Sequence, residues 1–179
     1  MYMKDIKRIA IIGNAGSGKS YLAQQLHTLT HLPIYHLDAH FWKPGWTRPD
    51  EAEYHKIHNS LCDLPEWIID GMNLKYLEYR IQKADLVIYL DMPLHICFWR
   101  IFKRLWKYYG KQAPSSAPGC KEGLSWEFVL FLKWVWNFKR KHAPRVKELL
   151  AIYTHSKSIS IFESPQEVAQ FLQKLKDTY

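Results

Sequence analysis

Five short runs of apolar residues, rich in β-branched or aromatic side chains, punctuate the chain: residues 8–12 (RIAII), 34–38 (IYHLD), 67–70 (WIID), 86–91 (LVIYLD) and 158–162 (SISIF). The runs at 34–38, 67–70 and 86–91 each close on an aspartate and read as buried strands. Between the runs lie stretches with helical character: 19–28, about 50–61, 94–108, 125–141, and a last helix opened by Ser164-Pro165-Gln166-Glu167, which combines a capping serine with proline at the first helical position. Nearly continuous apolar strands alternating with helices predict an α/β fold, with a parallel sheet covered on both faces. In the stretch 125–141, Trp126, Val129, Leu130, Lys133, Trp134 and Asn137 share one helical face, and that mostly apolar stripe is expected to pack on the body.

Two segments interrupt the alternation. Residues 39–49 (AHFWKPGWTRP) are rich in Trp, Pro and Gly, and with the helix that follows they form an expected insertion over the strand tips, 39–61. Residues 110–123 (GKQAPSSAPGCKEG) are dense in Gly, Pro and Ser and separate two helices, so 108–125 reads as a flap or lid. The whole chain, 1–179, is read as one domain.

Composition adds exclusions. At 47% hydrophobic and 23% charged residues over 179 positions, the chain has material for a real core and is not of the disordered class. No apolar stretch approaches the ~20 residues needed to span a bilayer, and the start MYMKDIKRIAIIG lacks a secretory signal, so a cytoplasmic protein without a membrane partner is expected. Cys62, Cys97 and Cys120 form no CxxC pair and are read as reduced thiols.

The net charge of +8 is concentrated in one place. Residues 95–147 carry twelve Lys and Arg against Glu122 and Glu127, a balance of +10, while the other 126 residues sum to −2. Trp99, Trp106, Tyr108, Tyr109, Trp126, Trp134 and Trp136 are interleaved with those cations. A polyanionic partner is expected for this block. Phosphates of a nucleotide and phosphates of a nucleic acid satisfy the charge equally well, and a solvated basic face over a core aromatic stripe is a third reading.

The sharpest chemical signal is Gly13-Asn14-Ala15-Gly16-Ser17-Gly18-Lys19-Ser20, followed by Tyr21, which satisfies G-x-x-x-x-G-K-[ST] between a predicted strand and a predicted helix. Such a loop turns backbone N–H groups onto a β-phosphate at the positive end of a helix dipole. Lys19 adds a charge shared by β- and γ-phosphates, and Ser20 offers a hydroxyl to Mg²⁺. ATP with Mg²⁺ is therefore the expected nucleotide and cofactor. No N/TKxD tetrapeptide of the GTPase kind is present, and neither strand-end aspartate, Asp70-Gly71 or Asp91-Met92, is followed by a glutamate that would activate water.

A strand ending in Asp-Gly (WIIDG) and the arginine pair in RIFKR, within a chain of this length, resemble the adenylate-kinase-like family of small P-loop kinases. The resemblance implies a three-layer P-loop fold with a five-stranded parallel sheet and a helical lid. It also implies that Arg80 holds an anionic group of the acceptor, and that Arg100 and Arg104 open the lid. The segments HLDAHFWKPGW, WIIDG and APGC resemble more specifically a bacterial branch of these kinases labelled DNA topology modulation proteins, with one departure at Asp70-Gly71-Met72-Asn73, where Asn-Tyr is the usual continuation.

Phosphoryl transfer needs a cradle, a metal, cations and an oriented acceptor. Asp38 is the candidate for orienting or deprotonating an acceptor hydroxyl, and Asp70 for holding Mg²⁺ with Ser20. Arg100 and Arg104, spaced i, i+4, share a helix face from which to meet the transferring group, and Arg140 and Arg145 are further candidate clamps. Trp42 and Trp46 are candidate walls for a ring-bearing acceptor. On an extended strand His36, Asp38 and His40 would share a face, which leaves a transition-metal site as a competing reading. Three functions compete: a small-molecule kinase acting on an acceptor such as a nucleoside or nucleotide, an ATP-regulated protein that grips nucleic acid, and a slow ATPase switch.

Overall fold

The computed structural model describes residues 6–47, 49–114 and 116–177. Residues 1–5, on which the reading of the amino terminus rests in part, lie outside the described residues, as do Arg48 of the 39–61 segment and Ser115 of the 108–125 segment. Strands β1 (Arg8–Gly13), β2 (Ile34–His36), β3 (Trp67–Asp70), β4 (Leu86–Leu90) and β5 (Ser158–Phe162) form one sheet in the order β2-β3-β1-β4-β5, and every neighbouring pair is parallel. The helices are α1 (Lys19–Thr30), α2 (Leu37–Phe41), α3 (Glu51–Cys62), α4 (Leu77–Lys83), α5 (Leu94–Tyr108), α6 (Trp126–Lys141), α7 (Ala143–Tyr153) and α8 (Pro165–Lys176).

The central strands are buried throughout because both sheet faces are covered. Ile9, Ile11, Ile68, Ile88 and Leu90 pack under α1, α5, α6 and α8, while Ala10, Ile12, Ile69, Val87 and Tyr89 pack under α3, α4 and α7. This alternation along each strand assigns successive side chains to opposite layers. Register places the end of β1 between the ends of β3 and β4, with Ile11 beside Asp70 and Gly13 beside Leu90. The loop after β1 therefore emerges at the middle of the sheet's carboxyl edge, where α/β folds form their ligand crevices. Cys62, Cys97 and Cys120 are all buried and free. Among the described residues no helix is long and apolar enough to cross a membrane.

Two expectations are corrected. The second strand stops at His36, and Leu37–Phe41 is a helical turn, so Asp38 is helical and lies beyond the strand tip. His36, Asp38 and His40 thus do not line one strand face, and the geometry assumed for a transition-metal site is lost. The stripe on α6 is also displaced. Trp126, Val129 and Leu130 face solvent, while Val135 and Phe138 are buried and Phe128, Phe131, Leu132 and Trp134 are partly so. The segment WEFVLFLKWVW is apolar nearly all round, so periodicity alone could not choose the face that meets the body.

Candidate active site

The 13–20 loop is shaped by what stands behind it. Gly16 has φ 74°, and a Cβ there would lie 2.3 Å from the Cys97 carbonyl oxygen of α5; at Gly18, φ 102°, it would lie 2.8 Å from Arg100 Nη1. Only glycine satisfies both the left-handed backbone and the close approach of α5. Asn14 donates from Nδ2 to the Val135 carbonyl at 3.0 Å and accepts from the Ala15 amide, which ties the loop to α6. The Ser17 hydroxyl is buried without a partner among the described residues.

Lys19 opens α1, is 8% exposed, and spans the loop by donating to the carbonyls of Gly13 (3.1 Å) and Asn14 (2.9 Å). Burial pushes its ammonium below the usual lysine range, against the pull of Asp38 and Asp70. Ser20 sits half-buried in the first turn of α1, and Tyr21 points outward. Arg100 reaches from α5 and donates from Nη1 to the Ser17 carbonyl at 2.6 Å. Arg104, one turn further on, places Nε 3.1 Å from Oε1 of the buried Glu122, and its charge is felt at both Lys19 and Asp38.

On the other side of the cleft Asp38 opens to solvent, yet it is surrounded by protein at the sheet edge. That burial pushes its carboxyl up, with Asp70 reinforcing the shift and Lys19 opposing it. Asp70 ends β3 and accepts from His36 Nδ1 at 2.7 Å, a bond that raises the His36 pKa above its ordinary value. Asp91, the other strand-end aspartate, is drawn elsewhere: it pairs with Lys147 (2.7 Å) and Lys139 (3.8 Å) and fastens α6 and α7 to the sheet. Arg80 on α4 is fully buried. It donates from Nη2 to the Gly71 carbonyl at 3.0 Å, and its Nε and Nη1 have no partner among the described residues.

The 108–125 segment lies against the 39–61 segment. Gly45 N donates to the Gly119 carbonyl (3.3 Å), Cys120 Sγ to the Lys43 carbonyl (3.2 Å) and Trp46 Nε1 to the Lys121 carbonyl (2.9 Å). Lys43-Pro44-Gly45-Trp46 and Ala117-Pro118-Gly119-Cys120, more than seventy residues apart, thus meet in one contact. Trp42 and Trp46 pack edge to face at 5.8 Å.

The structure therefore brings Lys19, Ser20, Asp38, Asp70, Arg80, Arg100 and Arg104 to one end of the sheet. Arg140 and Arg145 are exposed, and Arg140 lines a shallow hollow with Leu94, Trp136, Asn137 and Lys139. Sequence reasoning did not find the parts played by Glu122, His36 toward Asp70, or Lys139 and Lys147 toward Asp91. Each depends on a long-range contact. Among the described residues no group of three His, Cys, Asp or Glu side chains is arranged to hold a metal by itself. Ser20 and Asp70 are nonetheless hard oxygen donors on adjoining elements, a donor type that suits Mg²⁺ carried in with a polyphosphate.

No protein-family model matches the chain, and no curated protein matches it. Solved structures do resemble it. The shikimate kinase from Acinetobacter baumannii in complex with shikimate matches with TM-score 0.61 at 15% identity, over 98% of this chain and 93% of that one. A deoxyadenosine kinase from M. mycoides matches with TM-score 0.55 at 15% identity, over 95% and 97%. A gluconokinase from Sinorhizobium meliloti 1021 matches with TM-score 0.51 at 13% identity, over 96% and 90%. The chain has the five-stranded α/β fold of these P-loop kinases.

Proposed function

We propose that the protein is an ATP- and Mg²⁺-dependent phosphotransferase that moves the γ-phosphoryl group of ATP to a hydroxyl on a small acceptor. The observation that carries this reading is the glycine-shaped 13–20 loop at the centre of the sheet edge, with the buried Lys19 inside it and Arg100 held on its Ser17 carbonyl. The backbone amides of the loop and the start of α1 bind the β-phosphate. Ser20 and Asp70 would hold Mg²⁺, which when bound supplies neutralisation of the β- and γ-oxygens.

Asp38 faces the cleft and accepts the acceptor's hydroxyl proton as the oxygen forms its bond to the γ-phosphorus and the bridging oxygen leaves with ADP. The upward push on its carboxyl makes it a stronger proton acceptor than an ordinary aspartate. Lys19, Arg100 and Arg104 balance the charge on the transferring group. The 108–125 segment would act as a lid, docked on the 39–61 segment through the Gly45–Gly119, Lys43–Cys120 and Trp46–Lys121 hydrogen bonds. Arg80, with two guanidinium nitrogens unpaired, recognises an anionic group on the acceptor, and Trp42 and Trp46 form the acceptor-side wall. The resemblance to the bacterial branch labelled DNA topology modulation proteins rests on the HLDAHFWKPGW, WIIDG and APGC motifs.

The test is ³¹P NMR of Mg·ATP with the protein and a panel of nucleosides, nucleotides, hydroxy acids and sugars. The expected result is one acceptor class converted to a phosphoester with stoichiometric ADP. Calorimetric binding of Mg·ATP with no acceptor phosphorylated would overturn the kinase reading, and absence of ATP binding would overturn the site itself.

A further inference from the structure

The outer face of the α5–α6 pair is unlike the rest of the surface. On α5, Trp99, Phe102 and Trp106 recur at i, i+3 and i+7 and are 61%, 47% and 89% exposed, with Lys103 and Lys107 lining the same shallow groove. Phe102 meets Phe128 at 6.4 Å, which carries the surface onto α6, where Trp126, Val129 and Leu130 are 70%, 50% and 49% exposed. An exposed apolar area built from this many large side chains marks a binding face.

We infer that this face docks on an anionic lipid surface, lying in the headgroup layer without crossing the bilayer. Charge selects the occupant. Helix α5 places Lys103 and Lys107 on this groove and has no acidic residue, and α6 adds the exposed Lys133, one turn from Val129, against Glu127 alone. A second copy of the chain on this face would set these like charges against each other. Duplex nucleic acid would engage the cations and leave Trp106, Val129 and Leu130 in water. An anionic headgroup layer meets both needs, with phosphates for the lysines and the acyl boundary for the tryptophans and aliphatic residues. Lys103 lies over the Trp99 ring at 4.8 Å, so one site presents the cation and the apolar body together, as interfacial helices do. The inference is independent of the phosphotransferase reading.

The test is co-sedimentation of the full chain with vesicles of phosphatidylcholine, with and without phosphatidylglycerol. Binding is expected only to the anionic vesicles and should weaken as NaCl is raised. Lys103→Glu with Lys107→Glu should weaken it about 30-fold or more, from about 1 kcal/mol per cation near such a surface. Trp99→Ser with Trp106→Ser should weaken it comparably, while thermal midpoint and Mg·ATP binding stay at wild-type values, since these side chains are exposed. Lys56→Glu, on α3 across the sheet, should change nothing. Equal binding to neutral vesicles, or none to either, overturns the inference. So does a concentration-dependent dimer in sedimentation velocity that the tryptophan variant abolishes, or duplex DNA bound more tightly than the anionic vesicles at equal salt.

Discussion

Arg100 donates to the carbonyl oxygen of Ser17 at 2.6 Å, a bond that joins α5 to the 13–20 loop across 83 residues of sequence. The contact holds the guanidinium against the loop, and in the proposed reaction that placement would meet charge developing on the transferring group. Arg100→Ala is expected to lower kcat about 10²-fold and to change the Kd of Mg·ATP by less than about threefold. Arg100→Lys should recover part of the binding geometry and little of the rate, because lysine lacks the planar fork. Isothermal titration beside steady-state kinetics checks both; equal losses in Kd and kcat would make Arg100 a ground-state contact.

Lys19 is a buried cation whose hydrogen bonds go to two backbone carbonyls, Gly13 and Asn14, with no direct anionic partner among the described residues. Lys19→Met removes a desolvated charge, so the ligand-free protein should keep or raise its thermal midpoint. Mg·ATP at about 100 times its wild-type Kd should stabilise wild type by about 2.7 kcal/mol and the variant by almost nothing. Differential scanning fluorimetry with and without Mg·ATP reads both effects, and a variant that keeps the ligand shift would place the triphosphate elsewhere.

Two left-handed glycines separate strain from collision. Gly45 has φ 73° and open space for 4 Å around the position a Cβ would take, whereas a Cβ at Gly16 would meet the Cys97 carbonyl oxygen at 2.3 Å. Gly45→Ala should cost only the left-handed conformation, about 1 kcal/mol. Gly16→Ala should cost about 3 kcal/mol or more, because α5 must also move. Urea denaturation of the two variants checks the difference.

His58 is 1% exposed against Tyr54 and Tyr76, and burial together with the charge of Arg80 pushes its imidazole down to about 4. Below about pH 6.5 the unfolded chain takes up a proton that the folded His58 declines until about pH 4. Stability contributed by this residue is therefore full above pH 6.5 and falls as pH drops toward 4, by ~3 kcal/mol across that window. His58→Phe keeps a ring in the stack and should flatten this part of the profile, measured as urea midpoints between pH 4 and 7.

Much of this is legible in the chain because local pattern and local chemistry agree. The runs WIID and SISIF are strands β3 and β5 end to end, and the stretch 94–108 is α5, since none of them has a competing local solution. The 13–20 loop is legible because its glycines, lysine and serine form a short local motif, although the close approach of α5 that Gly16 and Gly18 permit is tertiary. His36-Leu37-Asp38 misleads because the chain leaves the sheet at an edge strand of only three residues, where little burial distinguishes strand from helix. The exposed stripe on α6 misleads because apolar residues surround that helix. Glu122 beside Arg104, Asn14 on Val135 and Asp91 between two lysines are tertiary pairings between distant segments, and no local period announces them.

Arg80 supplies the sharpest discrimination between structure and recognition. A fully buried guanidinium with one bond, to the Gly71 carbonyl, and with Nε and Nη1 unpaired is an expensive way to fill space between α3 and α4. Burial pushes its pKa below the arginine range, although Asp70 and Asp38 favour the charge. If its purpose is recognition, Arg80→Met, which is similar in length and uncharged, should leave the urea midpoint unchanged or higher. The same variant should raise the acceptor KM about 10²-fold or more, with the Kd of Mg·ATP unaffected. Acceptor analogues without an anionic group should bind wild type and variant alike. A variant that loses stability while its acceptor KM stays at the wild-type value would make Arg80 a structural residue, held for its packing and its bond to Gly71.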